Sequence, residues 1–217
     1  AEEAARLGAD AVLVSTPHYF AAAMTAPALV AHFCAVADAS GVPVLLYNVP
    51  KFTGLELPAA AVEELATHPN VAGMKDSSGR SAYLLDVLAR VPATFQVLCG
   101  DAALLPEALR AGAVGGILAA ATAVPEPFVE VAERGGAGED AARVHGLALD
   151  GLRAGIAKHG VAGFKAAMDR RGLYGGDPRP PLLALDDDAR ARIDEAVDAM
   201  VENGTLPARA LGASVRS

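Results

Sequence analysis

The sequence predicts an α/β chain built on a parallel sheet. Three observations carry that expectation. Short apolar runs rich in Val and Leu alternate with longer segments of helical periodicity. The runs are near-continuous rather than alternating, as in strands buried on both faces of a parallel sheet. Each run also ends on polar, chemically distinctive residues. Composition allows a large core, with 53% hydrophobic and 20% charged residues among 217.

The elements follow in order. AEEAARLGAD opens with the last turns of a helix, stopped at Gly8. AVLVS (11 to 15) reads as a strand ended by Thr16 and Pro17, and APALVAHFCAVADAS (26 to 40) as a helix ending on Gly41. VPVLLY (42 to 47) is strand, LPAAAVEELATH (57 to 68) helix, VAGMK (71 to 75) strand, and SAYLLDVLARV (81 to 91) helix. FQVLC (95 to 99) is strand, ALLPEALRAG (103 to 112) helix, and VGGILAAA (114 to 121) a fifth strand. Only helices are expected beyond it: 125 to 134, 138 to 158, 161 to 171, and 186 to 202. GGAGED (135 to 140) is a turn between two of them, and the tail LGASVRS is expected to fray.

Two architectures suit five parallel βα units. An open doubly wound sheet predicts a phosphate turn, and neither GxGxxG nor GxxxxGK[ST] occurs. A (β/α)8 TIM barrel predicts reactive groups at strand C-termini. Those ends read Ser15-Thr16-Pro17-His18-Tyr19, Tyr47-Asn48, Lys75-Asp76-Ser77-Ser78, Cys99-Gly100-Asp101 and Ala121-Thr122. A barrel needs eight strands in about 250 residues. The expectation is therefore a barrel lacking about three N-terminal βα units, with a C-terminal helical appendage. Its parts are strands four to eight over 1–124, the last barrel helix and helical region over 125–202, and a tail over 203–217.

Several function classes are disfavoured. With 18 Lys+Arg against 26 Asp+Glu, a net charge of −8 and a pI near 5.1, the chain offers no basic surface for nucleic acid. No apolar stretch reaches the roughly 20 residues of a membrane span. Cys34 and Cys99 show no metal or disulfide spacing, which fits a reducing cytoplasm. The five histidines are scattered, and no metal site is expected. Asp186 to Asp188 complement a helix dipole, and Arg170 and Arg171 near Lys165 read as a solvated basic face.

Lys75 is the leading catalytic candidate, because an ammonium at the end of the apolar strand VAGMK is a poor packing choice. A lysine withdrawn from water loses preference for its charged form, and the neutral amine attacks carbonyl carbon. The competing reading is a solvated lysine paired with Asp76. Tyr47 ends the preceding strand 28 residues earlier, about one βαβ unit, so it is expected beside Lys75 at the same level. A phenol there moves the protons that Schiff-base chemistry requires.

YNVPKFTG (47 to 54), GMKDSSG (73 to 79), CGD (99 to 101), GAVGGI (112 to 117), TPHYF (16 to 20) and GFKAAMDRRGLYGG (163 to 176) together resemble the dihydrodipicolinate synthase / N-acetylneuraminate lyase family of class I pyruvate aldolases. The resemblance implies that Lys75 is the Schiff-base lysine and Tyr47 the proton-relaying tyrosine. It implies further that Gly100 and the backbone of Ile117 line a pyruvate pocket, and that Tyr19 reaches a neighbouring subunit's site in a homo-oligomer. The family's Gly-[Ser/Thr]-Thr-Gly-Glu loop is absent from these residues and is expected upstream of Ala1. Phe52 stands where dihydrodipicolinate synthases carry an arginine, and a phenyl ring cannot make the bidentate carboxylate pairing of a guanidinium.

The expected function is that of a Schiff-base lyase or aldolase acting on a 2-oxo acid, with pyruvate as product or donor and an aldehyde as partner substrate. A 4-hydroxy-2-oxoglutarate aldolase is the example closest in look. The alternatives are a 4-hydroxy-tetrahydrodipicolinate synthase and a truncated, non-catalytic oligomerising domain. No cofactor is expected.

Overall fold

The computed structural model describes residues 1–208, and the expectation for LGASVRS lies outside them. The chain forms two compact units, Ala1–Ile117 and a second beginning at Leu118. The first opens with α1 (Glu2–Arg6), after which Gly8 adopts φ 90°, and continues through β1 (Val12–Ser15) to α2 (Ala26–Ala39). Thr25 caps α2 by accepting from the Ala28 N–H, and Leu29, Phe33 and Ala37, spaced by four, form its buried stripe. β2 (Val44–Asn48) leads into α3 (Pro50–Thr53), a one-turn helix that the periodicity does not announce. Then follow α4 (Ala59–Leu65), β3 (Val71–Asp76), α5 (Ser81–Arg90), β4 (Gln96–Cys99), α6 (Leu105–Arg110) and β5 (Gly115–Gly116).

All five strands are parallel, in the order β1-β2-β3-β4-β5. Every strand thus lies beside its sequence neighbour, with no reversal of order such as a doubly wound sheet contains. Helices α2, α4, α5 and α6 pack successively on one another along the sheet. Side chains alternate, so Val44, Leu46 and Asn48 are buried while Leu45 and Tyr47 are half-buried. The sheet is therefore not fully buried on both faces, as the apolar runs suggest. One face is sealed, while Leu13 on the other remains 40% exposed.

The fifth strand is shorter than expected from VGGILAAA. Pairing with β4 covers only Leu98↔Gly115 and Cys99↔Gly116, and Ile117 N–H adds a bond to Cys99 C=O. The alanines that follow turn instead into α7 (Ala120–Ala123), in keeping with alanine's helix propensity.

The second unit continues with α8 (Pro125–Glu133), α9 (Glu139–Gly151), a π turn (Leu152–Ile156), a 3₁₀ turn (Ala157–His159), α10 (Gly160–Arg170) and α11 (Asp187–Glu202). Gly135, Gly136 and Gly138 all take positive φ in the turn between α8 and α9. Asp186 caps α11, its carboxylate accepting from Ala189 N–H at 2.7 Å. The basic spot is not a solvated face. Arg171 is 7% exposed at its side chain and donates to Glu126 and to the Ala123 carbonyl, Arg170 pairs with Asp198 at 2.6 Å, and Lys165 donates to the Gly175 carbonyl.

Leu46 is fully buried at the centre of β2. Leu46→Ala is expected to lower unfolding free energy by about 2–5 kcal/mol in urea titrations followed by circular dichroism. Leu7→Ala, at a side chain 71% exposed, should stay within about 0.5 kcal/mol. Asp186→Ala should cost about 1 kcal/mol through its lost cap.

Candidate active site

The site is built from the C-terminal ends of β2 and β3. Their register places Tyr47 opposite Lys75 and Asn48 opposite Asp76. Strand alternation sends the first pair to the half-buried face and the second to the sealed one. On the half-buried face Lys75 Nζ donates to Tyr47 Oη at 3.3 Å and lies 4.4 Å from the centroid of the tyrosine ring. An amine thus meets a phenol within proton-transfer reach, over an aromatic face that stabilises positive charge.

Gly100 follows β4 beside this pair. A Cβ there would stand 1.9 Å from Ser77 Oγ and 3.0 Å from Lys75 Cε, so only glycine lets the chain pass this close to the lysine. Its N–H donates to Asp76 C=O at 2.6 Å. Ile117 is tied to the same strand end through Cys99 and is 41% exposed. Cys99 itself is buried, which pushes its thiol up to about 11. Tyr19 stands apart from this cluster, 87% exposed and packed edge-to-face on Phe20. Lys75, Tyr47, Gly100 and Ile117 are brought to neighbouring strand ends, while Tyr19 lies in the segment after β1.

Beneath the lysine lies a buried polar network that hydropathy does not mark. Asn48 Nδ2 donates to Asp76 Oδ1 at 2.8 Å, and the two residues are 0% and 2% exposed. Asp76 also accepts from Ser78 N–H at 3.1 Å and Ser78 Oγ at 2.8 Å. Asn48 Oδ1 accepts from Leu57 N–H, and Leu57 C=O accepts from Tyr83 Oη at 2.5 Å. With its oxygens engaged by Asn48 and Ser78, Asp76 is turned away from Lys75, so the competing picture of a Lys75–Asp76 pair is not realised. The detectable signal was a separation of 28 residues, identical to that of Tyr47 and Lys75.

Burial raises the Asp76 pKa above its ordinary 3.8, outweighing the Asn48 and Ser78 hydrogen bonds that lower it. A raised folded-state pKa means that ionisation is opposed in the fold, so Asp76 weakens stability progressively as pH climbs above 3.8. Relative to the parent chain, Asp76→Asn should therefore gain stability as pH rises through that range, measured by urea midpoints at successive pH values.

A family model described as the dihydrodipicolinate synthetase family matches residues 1–200. A 4-hydroxy-tetrahydrodipicolinate synthase from an Exiguobacterium species is 37% identical over 203 residues, covering 91% of this chain and 67% of the relative. A probable mitochondrial 4-hydroxy-2-oxoglutarate aldolase from Emericella nidulans is 33% identical over 204 residues, covering 93% and 66%. Among solved structures, YagE from E. coli K12, a prophage protein of the dihydrodipicolinic acid synthase family in complex with pyruvate, superposes with a TM-score of 0.80 at 29% identity, over 91% of this chain and 68% of that one. The chain spans about two thirds of the length of the curated relatives it matches. Its parallel strands in sequential order agree with the α/β barrel of these neighbours. By the match over residues 1–200 and the likeness to these relatives, the chain belongs to the dihydrodipicolinate synthetase family.

Proposed function

We propose that the protein of which these residues form part is a Schiff-base lyase or aldolase that makes or breaks a carbon–carbon bond of a 2-oxo acid, with pyruvate as donor or product. The observation that carries this reading is the contact of Lys75 Nζ with Tyr47 Oη at 3.3 Å. Attack of the uncharged Lys75 amine on the keto carbon gives a carbinolamine, and loss of water leaves an iminium. The iminium draws electrons from C3, so loss of a C3 proton yields an enamine that adds to an aldehyde; the reverse sequence cleaves the bond. Tyr47 gives a proton to the departing hydroxyl and recovers it at later steps. The tyrosine ring beside Nζ favours the positive charge that the iminium carries. Gly100 lets the end of β4 close against the lysine, and the backbone at Ile117 lines the pyruvate pocket beside it. The pyruvate held by the E. coli relative supports this choice of substrate.

Phe52 favours an aldolase of the 4-hydroxy-2-oxoglutarate type over a 4-hydroxy-tetrahydrodipicolinate synthase. It lies on α3, directly after β2, with 77% of its surface exposed, and offers no donor to a second carboxylate. Tyr19, also exposed, is available to a second copy of the chain in a homo-oligomer.

Incubation with pyruvate and borohydride, followed by peptide mapping, should give a reduced pyruvyl adduct on Lys75 and none in Lys75→Ala. Tyr47→Phe should lower the rate of adduct formation by about 10²-fold or more. A folded chain with no adduct would instead favour a non-catalytic oligomerising domain.

A further inference from the structure

The geometry points to Asn48 and Asp76 as a positioning pair that sets, from the opposite face of the sheet, the height at which Lys75 and Tyr47 meet. Four observations converge on it. Asn48 and Asp76 directly follow Tyr47 and Lys75 in their strands and are themselves partners in the register. Their side chains are joined at 2.8 Å, and both residues are almost completely buried. Each also pins the loop leaving its own strand. Asn48 Oδ1 holds Leu57 N–H at the far end of the segment that carries α3 and Phe52, while Asp76 holds Ser78 through its N–H and its hydroxyl. Finally, Asp76 C=O accepts from Gly100 N–H, which carries the same constraint to the end of β4.

A backbone hydrogen-bond ladder tolerates small shear at its last rung, where the chain departs into a loop. A buried side-chain bond across that rung removes the freedom. A displacement there would move Nζ and Oη relative to each other, and reaction rates depend steeply on such placement. Asn48 and Asp76 touch no substrate in this arrangement; they act through the residues beside them. The consequence for pyruvate rests on the Schiff-base reading, whereas the geometric claim stands without it.

The test compares Asn48→Asp, Asp76→Ala and the near-isosteric Asp76→Asn. Asn48→Asp sets one carboxylate against another, and Asp76→Ala removes the acceptor. Asp76→Asn keeps an acceptor for Asn48 and Ser78 N–H, with an amide facing a serine hydroxyl that can turn to accept. The first readout is trace acylation by a water-soluble succinimidyl ester, with Lys75 labelling measured against the exposed Lys158. Asn48→Asp and Asp76→Ala should raise the Lys75:Lys158 ratio by at least about threefold as the amine leaves Tyr47, with Asp76→Asn restoring it. Leu105→Ala, a destabilised control in the core of the same unit, should leave the ratio unchanged.

The second readout is pyruvate trapping, which should slow by about tenfold to a hundredfold at saturating pyruvate in the two disruptive variants. Unchanged labelling ratios in both would overturn the assignment, as would an equal rise in Leu105→Ala. If the disruptive variants do not fold, Asn48→Ala, which removes the donor without adding charge, decides by the same ratio. No adduct in the parent chain would defeat the Schiff-base reading alone, and the labelling ratio would still decide the positioning role.

Discussion

Because a strand alternates its side chains, the register of β2 against β3 settles four residues at once. Tyr47 opposite Lys75 puts a phenol and an amine on one face, and Asn48 opposite Asp76 puts an amide and a carboxylate on the other. A slip of one residue in β3 would send its members to the wrong faces, leaving a lysine in the sealed layer and a carboxylate beside Tyr47. Gly100 and Ile117 depend on the same arrangement, since both are tied to β3 through the end of β4. The remainder of the first unit serves largely to hold this pairing. Helices α2, α4 and α5 bury stripes spaced by three or four residues, and the sealed core side chains Leu46, Met74 and Val97 come from the three central strands.

The register also resolves an electrostatic conflict. Lys75 and Asp76 are adjacent in sequence, and an ion pair between them would draw the amine away from Tyr47. The fold sends them to opposite sides of the sheet and satisfies the carboxylate with Asn48 and Ser78 instead. The cost is a desolvated acid, visible in the upward displacement of its pKa. Tyr83 completes the layer, its phenol kept protonated by burial and donating to the Leu57 carbonyl.

Much of this was legible in the residues. Continuous apolar runs located the first four strands, because full burial of one face and partial burial of the other needs no polar alternation. The spacing of 28 residues put Tyr47 beside Lys75, since one strand, one helix and two connections fix the length of a unit. The fifth strand is shorter than its apolar run suggests: GG and the following alanines are apolar without favouring β structure, and apolarity alone does not separate a buried strand from a helix. Helix α3 has a proline at its start and a left-handed Gly54 at its end, yet four residues are too few to show a period. Arg171 looked solvated because its partner Glu126 lies 45 residues away, beyond any local charge pattern. Asn48 and Asp76 stayed hidden for a related reason: a buried polar pair has no hydropathic signature, and only the shared spacing marks it.

The sequential strand order bears on how the chain assembles. Among the described strands each from β2 onward pairs with the one before it in the sequence, so each pairing closes a loop of about one βα unit. A growing polypeptide can therefore add units to an existing edge in the order in which they are synthesised. Lys75 and Tyr47 come together as soon as β3 docks on β2, without waiting for β4, β5 or the helical unit to dock. The Lys75–Tyr47 contact is among the earliest long-range contacts that the first unit can form.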